Sequence, residues 1–278
     1  INKVCASGLK TICIGASEIK ANNAEVIMAG GFESMSNAPH MLKSVRGGIR
    51  FGDSMILDSI STDGLVDAYS RLPMGVCTEK TAKEMGINRE LQDEYAIKSY
   101  ERALKSIETG VFNWEIVPVE IPKKGILNLD DEPQRFNREK MASFKPAFAD
   151  KSGVGTITAG NASKINDGAC AFLLMGEEGL KKSGLKPIAE ILSYADAEGQ
   201  PIDFNFIPPI AIRKAMSKIG LEAKNIDFWE INEAFSVTAI AAMKVLGIGH
   251  DKINVHGGAV ALGHPIGASG SRIVLSLI

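Results

Sequence analysis

The chain opens Ile1-Asn-Lys-Val-Cys-Ala-Ser-Gly-Leu-Lys-Thr-Ile-Cys-Ile-Gly-Ala-Ser-Glu-Ile-Lys-Ala21 and continues, after two asparagines, Ala24-Glu-Val-Ile-Met-Ala-Gly-Gly31. From Gly8 to Ala21 the apolar residues Leu9, Ile12, Cys13 and Ile19 recur at helical spacing among small residues. Ala24 to Ala29 reads as a buried strand closed by the Gly30-Gly31 pair. A strand end before Gly8, a helix and then a strand, with Gly/Ala-rich turns, argue for an α/β sheet covered on both faces. The same rhythm returns at Thr156-Ile-Thr158, at Cys170 to Met175, and through Ile188–Leu192. It continues in a helix over Ile210–Ile219, a strand over Phe228–Ile231 and a helix over Ala234–Leu246. Between about Asn37 and Asp150 the chain is more charged. There the spacing predicts one amphipathic helix, Glu90 to Lys105, capped by Asn88.

Bulk properties narrow the class. With 278 residues, the length suggests about two domains of ~150 residues each. A net charge of -2 gives no electrostatic reason to expect nucleic acid or an anionic membrane. The apolar runs, such as Ala169 to Met175, are of core-strand length and fall short of the ~18–20 residues that a spanning helix needs. The four cysteines, at 5, 13, 77 and 170, lack the spacing of a metal site or a disulfide framework. That favours a reducing compartment. Ile1 reads as mid-strand and Arg272 to Ile278 as an uncapped helix, so the sequence is expected to be a fragment at both ends.

Three residues carry the chemical signal. Cys5 stands in Asn2-Lys-Val-Cys-Ala-Ser-Gly8, between a strand end and a helix start. The dipole there is expected to lower the thiol pKa and favour a thiolate, while Ala6, Ser7 and Gly8 leave room for a ligand. The alternative is a cysteine packed as a small hydrophobe. His264 lies in Gly257-Gly-Ala-Val-Ala-Leu-Gly-His-Pro-Ile-Gly-Ala-Ser-Gly270, five glycines around one imidazole, with Pro265 directing the chain. It is a better proton carrier than His40 or His250, although a structural histidine would also fit. Asn232, in Asn232-Glu-Ala-Phe-Ser236, reads either as a helix N-cap or as an amide that fixes a water or His264 near an oxyanion.

These blocks, together with Ala29-Gly-Gly-Phe-Glu-Ser-Met35 and Asn161-Ala-Ser-Lys-Ile-Asn-Asp-Gly168, resemble the thiolase family over essentially the whole chain. Asp63-Gly-Leu-Val-Asp-Ala-Tyr69 and Gln200-Pro-Ile-Asp-Phe204 resemble the mitochondrial-type acetoacetyl-CoA branch. The resemblance implies an α/β thiolase fold: two similar α/β domains with an inserted loop domain, truncated here at both ends. It places an N-terminal domain at 1–37 and 147–185, the loop domain at 38–146 and a C-terminal domain at 186–278. It implies an acyltransferase that reversibly cleaves acetoacetyl-CoA, or condenses two acetyl-CoA, through an acetyl-cysteine intermediate. Cys5 would be the nucleophile, His264 its base, and Asn232 the holder of an oxyanion-hole water. Leu65 and Ser163 would touch the pantetheine arm of CoA, and Met74, Ala234 and Phe235 would line the acyl pocket. No cofactor is implied beyond coenzyme A as substrate and a potassium ion near it, held by Tyr100 with backbone at Ala159, Gly160, Ala162 and Val260. Acyl-CoA and CoA would be the partners, in a homotetramer or homodimer, in the mitochondrion or, as the alternative, the cytoplasm.

The sequence departs from the family in four respects. The second catalytic cysteine, in a Cys-x-Gly motif, is expected beyond residue 278, and the first strands of the N-terminal sheet before Ile1. Gly160 stands where the family has alanine. Pro73-Met-Gly75 replaces the His-Met-Gly of short-chain enzymes and resembles the medium- and long-chain 3-ketoacyl-CoA thiolases, the rival reading of specificity. A non-catalytic acyl-CoA binder is the rival of another class.

Overall fold

A computed structural model describes residues 1–123 and 125–278. In chain order its helices are α1 (Ser7–Lys20), α2 (Met74–Glu84), α3 (Arg89–Glu108), α4 (Glu177–Ser183), α5 (Ile207–Ser217), α6 (Ser236–Leu246), α7 (Ala259–Leu262) and α8 (Ile266–Leu277). The strands are β1 (Val26–Ser34), β2 (His40–Leu42), β3 (Ile56–Asp58), β4 (Val119–Ile121), β5 (Gly125–Leu127) and β6 (Asp167–Met175). Among the described residues they form three antiparallel pairs, β1 with β6, β2 with β3 and β4 with β5.

Helices α1, α3, α5 and α6 follow the apolar spacing, whereas α2, in the segment where one helix was expected, is a second one. α3 starts where Asn88 accepts a hydrogen bond from the Leu91 amide, so the cap read from the sequence is present. The strands differ more. β1 does not stop at the glycine pair but runs through it, pairing Gly30 with Ala171 and Gly31 with Cys170. Ile188–Leu192 forms no strand, Phe228–Ile231 contributes one parallel bridge, Trp229 with Ile253, and Thr156–Thr158 one bridge, Pro146 with Thr158. A strand exists only where a neighbour pairs with it, and these segments have no further partner among the described residues. Nor is β1 covered on both faces: Met28 and Phe32 are 78% and 83% exposed.

Two apolar clusters form the core. α6 is buried nearly all round, as its run of Val237, Ala239, Ile240, Ala241 and Ala242 dictates, and packs with Trp229, Ile231 and Ile253. The second cluster joins Ala96, Tyr100 and Ala103 of α3 to Val260, Ala261 and Leu262. So α3, within the segment expected as an inserted lobe, presents Tyr95 to one cluster and Tyr100 to the other.

The contact that sets the geometry of the molecule lies where α1, α8 and β1 meet. A Cβ on Gly8 would stand 2.7 Å from the Ser271 amide nitrogen, and one on Gly31 would stand 2.1 Å from the Gly267 carbonyl oxygen. Backbone therefore lies directly on backbone, and only hydrogen fits at these positions. The start of α1 carries Cys5 and the start of α8 follows His264, so this contact brings the two together. Gly31→Ala should accordingly force the α8 turn outward. We expect a loss of about 1–3 kcal/mol in urea unfolding, the usual cost of overpacking, together with a fall in kcat/KM.

Candidate active site

Cys5 sits in a short 3-10 turn, Val4–Ala6, just ahead of α1. Val4 has φ of +49°, a left-handed conformation that is costly for a β-branched residue. The turn is stabilised locally: Ser7 Oγ accepts from the Lys3 amide at 2.8 Å and donates to the Val4 carbonyl at 2.7 Å. From this turn the Cys5 sulfur reaches 3.0 Å from His264 Nε2.

The far side of the imidazole fixes its tautomer. Ser269 Oγ donates to the Pro265 carbonyl at 2.9 Å and lies 2.5 Å from His264 Nδ1. With its single hydrogen spent on that carbonyl, the hydroxyl must accept from Nδ1–H. Nε2 is then left with its lone pair facing the thiol, as a base requires. Ser269 was missed in the sequence; its signal is a serine four residues after the proline and five after the histidine, at back-bonding distance on a helix.

Asn232 is the third member. Its Nδ2 lies 3.3 Å from His264 Nε2, and its Oδ1 is buried without a protein partner, free to accept from a ligand or water. It does not cap α6, whose N-cap is Phe235. Glu233, next to it, is fully buried and accepts four hydrogen bonds: from Tyr95 Oη and Asn254 Nδ2 on Oε1, and from Ser99 Oγ and the Val260 amide on Oε2. This acceptor-only pattern is that of an ionised carboxylate. It ties α3 and the Ile253–Val255 segment to the Gly257–His264 turn, one residue from Asn232. Sequence reading gave Glu233 no role.

Burial overrides the electrostatics expected from the sequence. The Cys5 sulfur is densely surrounded by protein although the residue keeps some accessible surface. Desolvation pushes its thiol up to about 11, against a smaller lowering by its own backbone amide. Burial, with a smaller push from the Arg272 guanidinium, takes His264 down to about 4. The resting pair is therefore neutral thiol and neutral imidazole, and the expected thiolate is corrected: charge desolvation outweighs the helix dipole.

The remaining sequence candidates divide into two groups. Ser163 donates twice to the Ala234 carbonyl, from its amide at 3.1 Å and its hydroxyl at 2.8 Å, and Ala162 bridges to Phe235. These four residues form one ledge, joined to the histidine turn by the His264 amide, which donates to the Lys164 carbonyl at 2.9 Å. The Phe235 ring meets Phe148 edge-on at 6.3 Å and Phe204 at 6.4 Å; Phe204 lies in a block that the sequence reading quoted without giving it a site role, and Phe148 went unread. Buried Asn205 holds Phe204 in place, donating to Thr78 and Thr81 of α2 and accepting from Thr238 of α6. Leu65 ends the turn Ile60–Leu65, whose Gly64 packs against Ile266, and half-buried Met74 opens α2. Neither makes a hydrogen bond to the Cys5 cluster. Of the groups expected around potassium, Tyr100 and Val260 are buried and Ala159 is exposed. The carbonyls of Ala162 and Val260 both accept from Lys164 Nζ.

Residues 1–178 match the family model for the thiolase N-terminal domain, and residues 185–278 that for the thiolase C-terminal domain. An acetyl-CoA acetyltransferase of Yarrowia lipolytica is 53% identical, covering 100% of this chain and 69% of the relative. One of Gibberella zeae, named as cytosolic, is 47% identical, covering 100% and 70%. Among solved structures, the Acat5 thiolase of Ascaris suum in complex with coenzyme A superposes with a TM-score of 0.95 at 47% identity, covering 100% of this chain and 71% of that one. Human mitochondrial 3-ketoacyl-CoA thiolase gives 0.95 at 38%, covering 100% and 70%. The mitochondrial compartment expected from the sequence is overturned: the Gibberella relative named as cytosolic is 47% identical, against 38% for the human mitochondrial thiolase.

Two outcomes check this geometry. Alkylation of Cys5 by iodoacetamide, followed by peptide mass mapping, should rise steadily from pH 7 towards pH 10. A thiolate–imidazolium pair would instead give a plateau from acid pH onward. Ser269→Ala, which releases the Nδ1 proton, should lower kcat by roughly a hundredfold, the lower end of what a placed proton carrier contributes. Separately, Glu233→Gln turns an NH2 group towards either Asn254 Nδ2 or the Val260 amide, neither of which can accept. It should cost ~2–3 kcal/mol in thermal or urea unfolding.

Proposed function

The chain belongs to the thiolase family, and from that premise we propose that it is an acetyl-CoA C-acetyltransferase, cleaving acetoacetyl-CoA with CoA or running the reverse condensation through an acetyl group on Cys5. The observation that carries this reading is the continuous series of contacts from Cys5 Sγ through His264 Nε2 and Nδ1 to Ser269 Oγ, with Asn232 Nδ2 beside Nε2. The 45–53% identity to relatives named acetyl-CoA acetyltransferase supports the substrate class.

The neutral pair supports a concerted first step. As the Cys5 sulfur attacks the 3-keto carbon of the substrate, its proton passes to His264 Nε2, so neither buried charge forms alone. Nε2–H and Asn232 Nδ2 then face the developing oxyanion, and Asn232 Oδ1 is placed to accept from a water that shares this task. The bond between the α and β carbons breaks, and acetyl-CoA leaves as an enolate whose α-carbon takes a proton from a second acid, the role the family gives to a Cys-x-Gly cysteine. CoA next attacks the acetyl carbonyl carbon, its thiol proton restoring that acid, and as the bond to the Cys5 sulfur breaks His264 returns the first proton to Cys5. No cofactor takes part in these steps. We assign the Ser163–Ala234 ledge and Leu65 to the pantetheine arm, and Met74, Ala234 and Phe235 to the acyl group. The aromatic wall of Phe148, Phe204 and Phe235 supports a short acyl chain. Pro73 favours the second reading, a thiolase for longer 3-ketoacyl chains, since it sets the entry of α2 without a polar side chain near Met74. The apolar stripe of Met28 and Phe32 on β1 supports a homodimer or homotetramer, and the cytosolic relative supports the cytoplasm.

The test is the intact mass of the protein after acetoacetyl-CoA, with and without free CoA. An acetyl adduct that free CoA discharges, and that Cys5→Ser never forms, is the expected result. An adduct from longer 3-ketoacyl-CoAs alone would transfer the assignment to the longer-chain reading. Labelling by none of them would leave an acyl-CoA binder.

A further inference from the structure

The two backbone oxygens that the resemblance offers to a potassium ion are already engaged. Lys164 Nζ donates to the Ala162 carbonyl at 3.0 Å and to the Val260 carbonyl at 3.3 Å, and lies 5.2 Å from the centroid of the Tyr100 ring. Three of the five groups expected around the ion thus surround an ammonium of the chain itself. A carbonyl-lined potassium site works by replacing the ion's water shell with oxygens. Here two of those oxygens point at a positive charge, and like charges at such separations repel strongly in a partly buried site. The residues present do not fit a bound potassium ion. Nor is the loop free to open around one: it packs so closely at Gly160 that an added Cβ would lie 2.9 Å from Met141 Sδ and from Phe144 Cδ2.

We propose that Lys164 is a tethered monovalent cation, its ammonium replacing potassium between the Asn161–Lys164 loop and the Val260 turn and so positioning Ser163 and His264 for CoA. The connections run through one residue. The side chain of Lys164 joins its own loop to Val260, while its carbonyl accepts from the His264 amide at 2.9 Å. Its neighbour Ser163 holds the Ala234 carbonyl. An ammonium suits this place: it has three donors, and two meet carbonyls while the charge sits over an aromatic face. The carboxylates of Glu132 and Glu233 add negative charge near it. A tethered cation also has an effective concentration that the surrounding salt does not set.

The inference rests on the CoA-binding reading of this ledge, and the test separates the two. Wild-type protein is melted, and its KM for CoA measured, in potassium chloride and in choline chloride at equal ionic strength. We expect the same Tm and the same KM in both salts. Lys164→Ala in choline should raise KM for CoA at least about fivefold, within the usual range of coupling between sites, with kcat less affected. Potassium, entering the space left by the side chain, should restore both KM and Tm. A wild-type Tm that rises in potassium but not in choline would overturn the proposal, as would a variant matching wild type in choline. The melting measurement on wild type needs neither turnover nor the variant, so it can fail while acetylation of Cys5 succeeds.

Discussion

Everything at this site depends on two helix starts lying backbone against backbone. Cys5 and His264 are 259 positions apart, and each precedes a helix that carries a glycine where the other approaches, Gly8 in α1 and Gly270 in α8. Hydrophobic burial can bring two helices together but sets no sub-ångström register. The hard contacts at Gly8 and Gly31 do, because close-packed backbone has no softer coordinate along which to yield. Precision at the sulfur and the imidazole is thus inherited from sterics several residues away. The strained Val4 turn is then held in place from both sides.

A second layer of order comes from buried polar groups that leave one another no alternative arrangement. Glu233 receives two N–H donors that cannot rotate to become acceptors, and Ser269 has one hydrogen and one carbonyl to give it to. Both act on the reacting groups through geometry and not through net charge. This matches a catalytic pair kept neutral until substrate arrives. In such a site the dipole of α1 matters most when charge develops during attack, and least in the resting protein.

Much of this was legible in the sequence, and the reasons are specific. Cys5, Asn232 and His264 stand out because chemistry-bearing side chains occur there among residues too small to need them for packing. The helices over 7–20 and 89–108 follow from apolar periodicity and, at Asn88, from a cap that needs only local contacts. What was lost depends on distant chain. β1 continues through Gly30-Gly31 because β6 lies beside it, and pairing across 140 residues leaves no local trace. The thiol's protonation was misjudged because a helix start is visible in a sequence while the desolvation of one sulfur is not. Lys164 reads as an ordinary solvated loop lysine until Ala162, Val260 and Tyr100 are seen around it.

The left-handed backbone at Val4 has a consequence for how this protein can change. A glycine there would relax the turn and stabilise the folded state. It would also free the segment that aims the nucleophile. Selection for heat resistance and selection for turnover therefore pull this one codon in opposite directions.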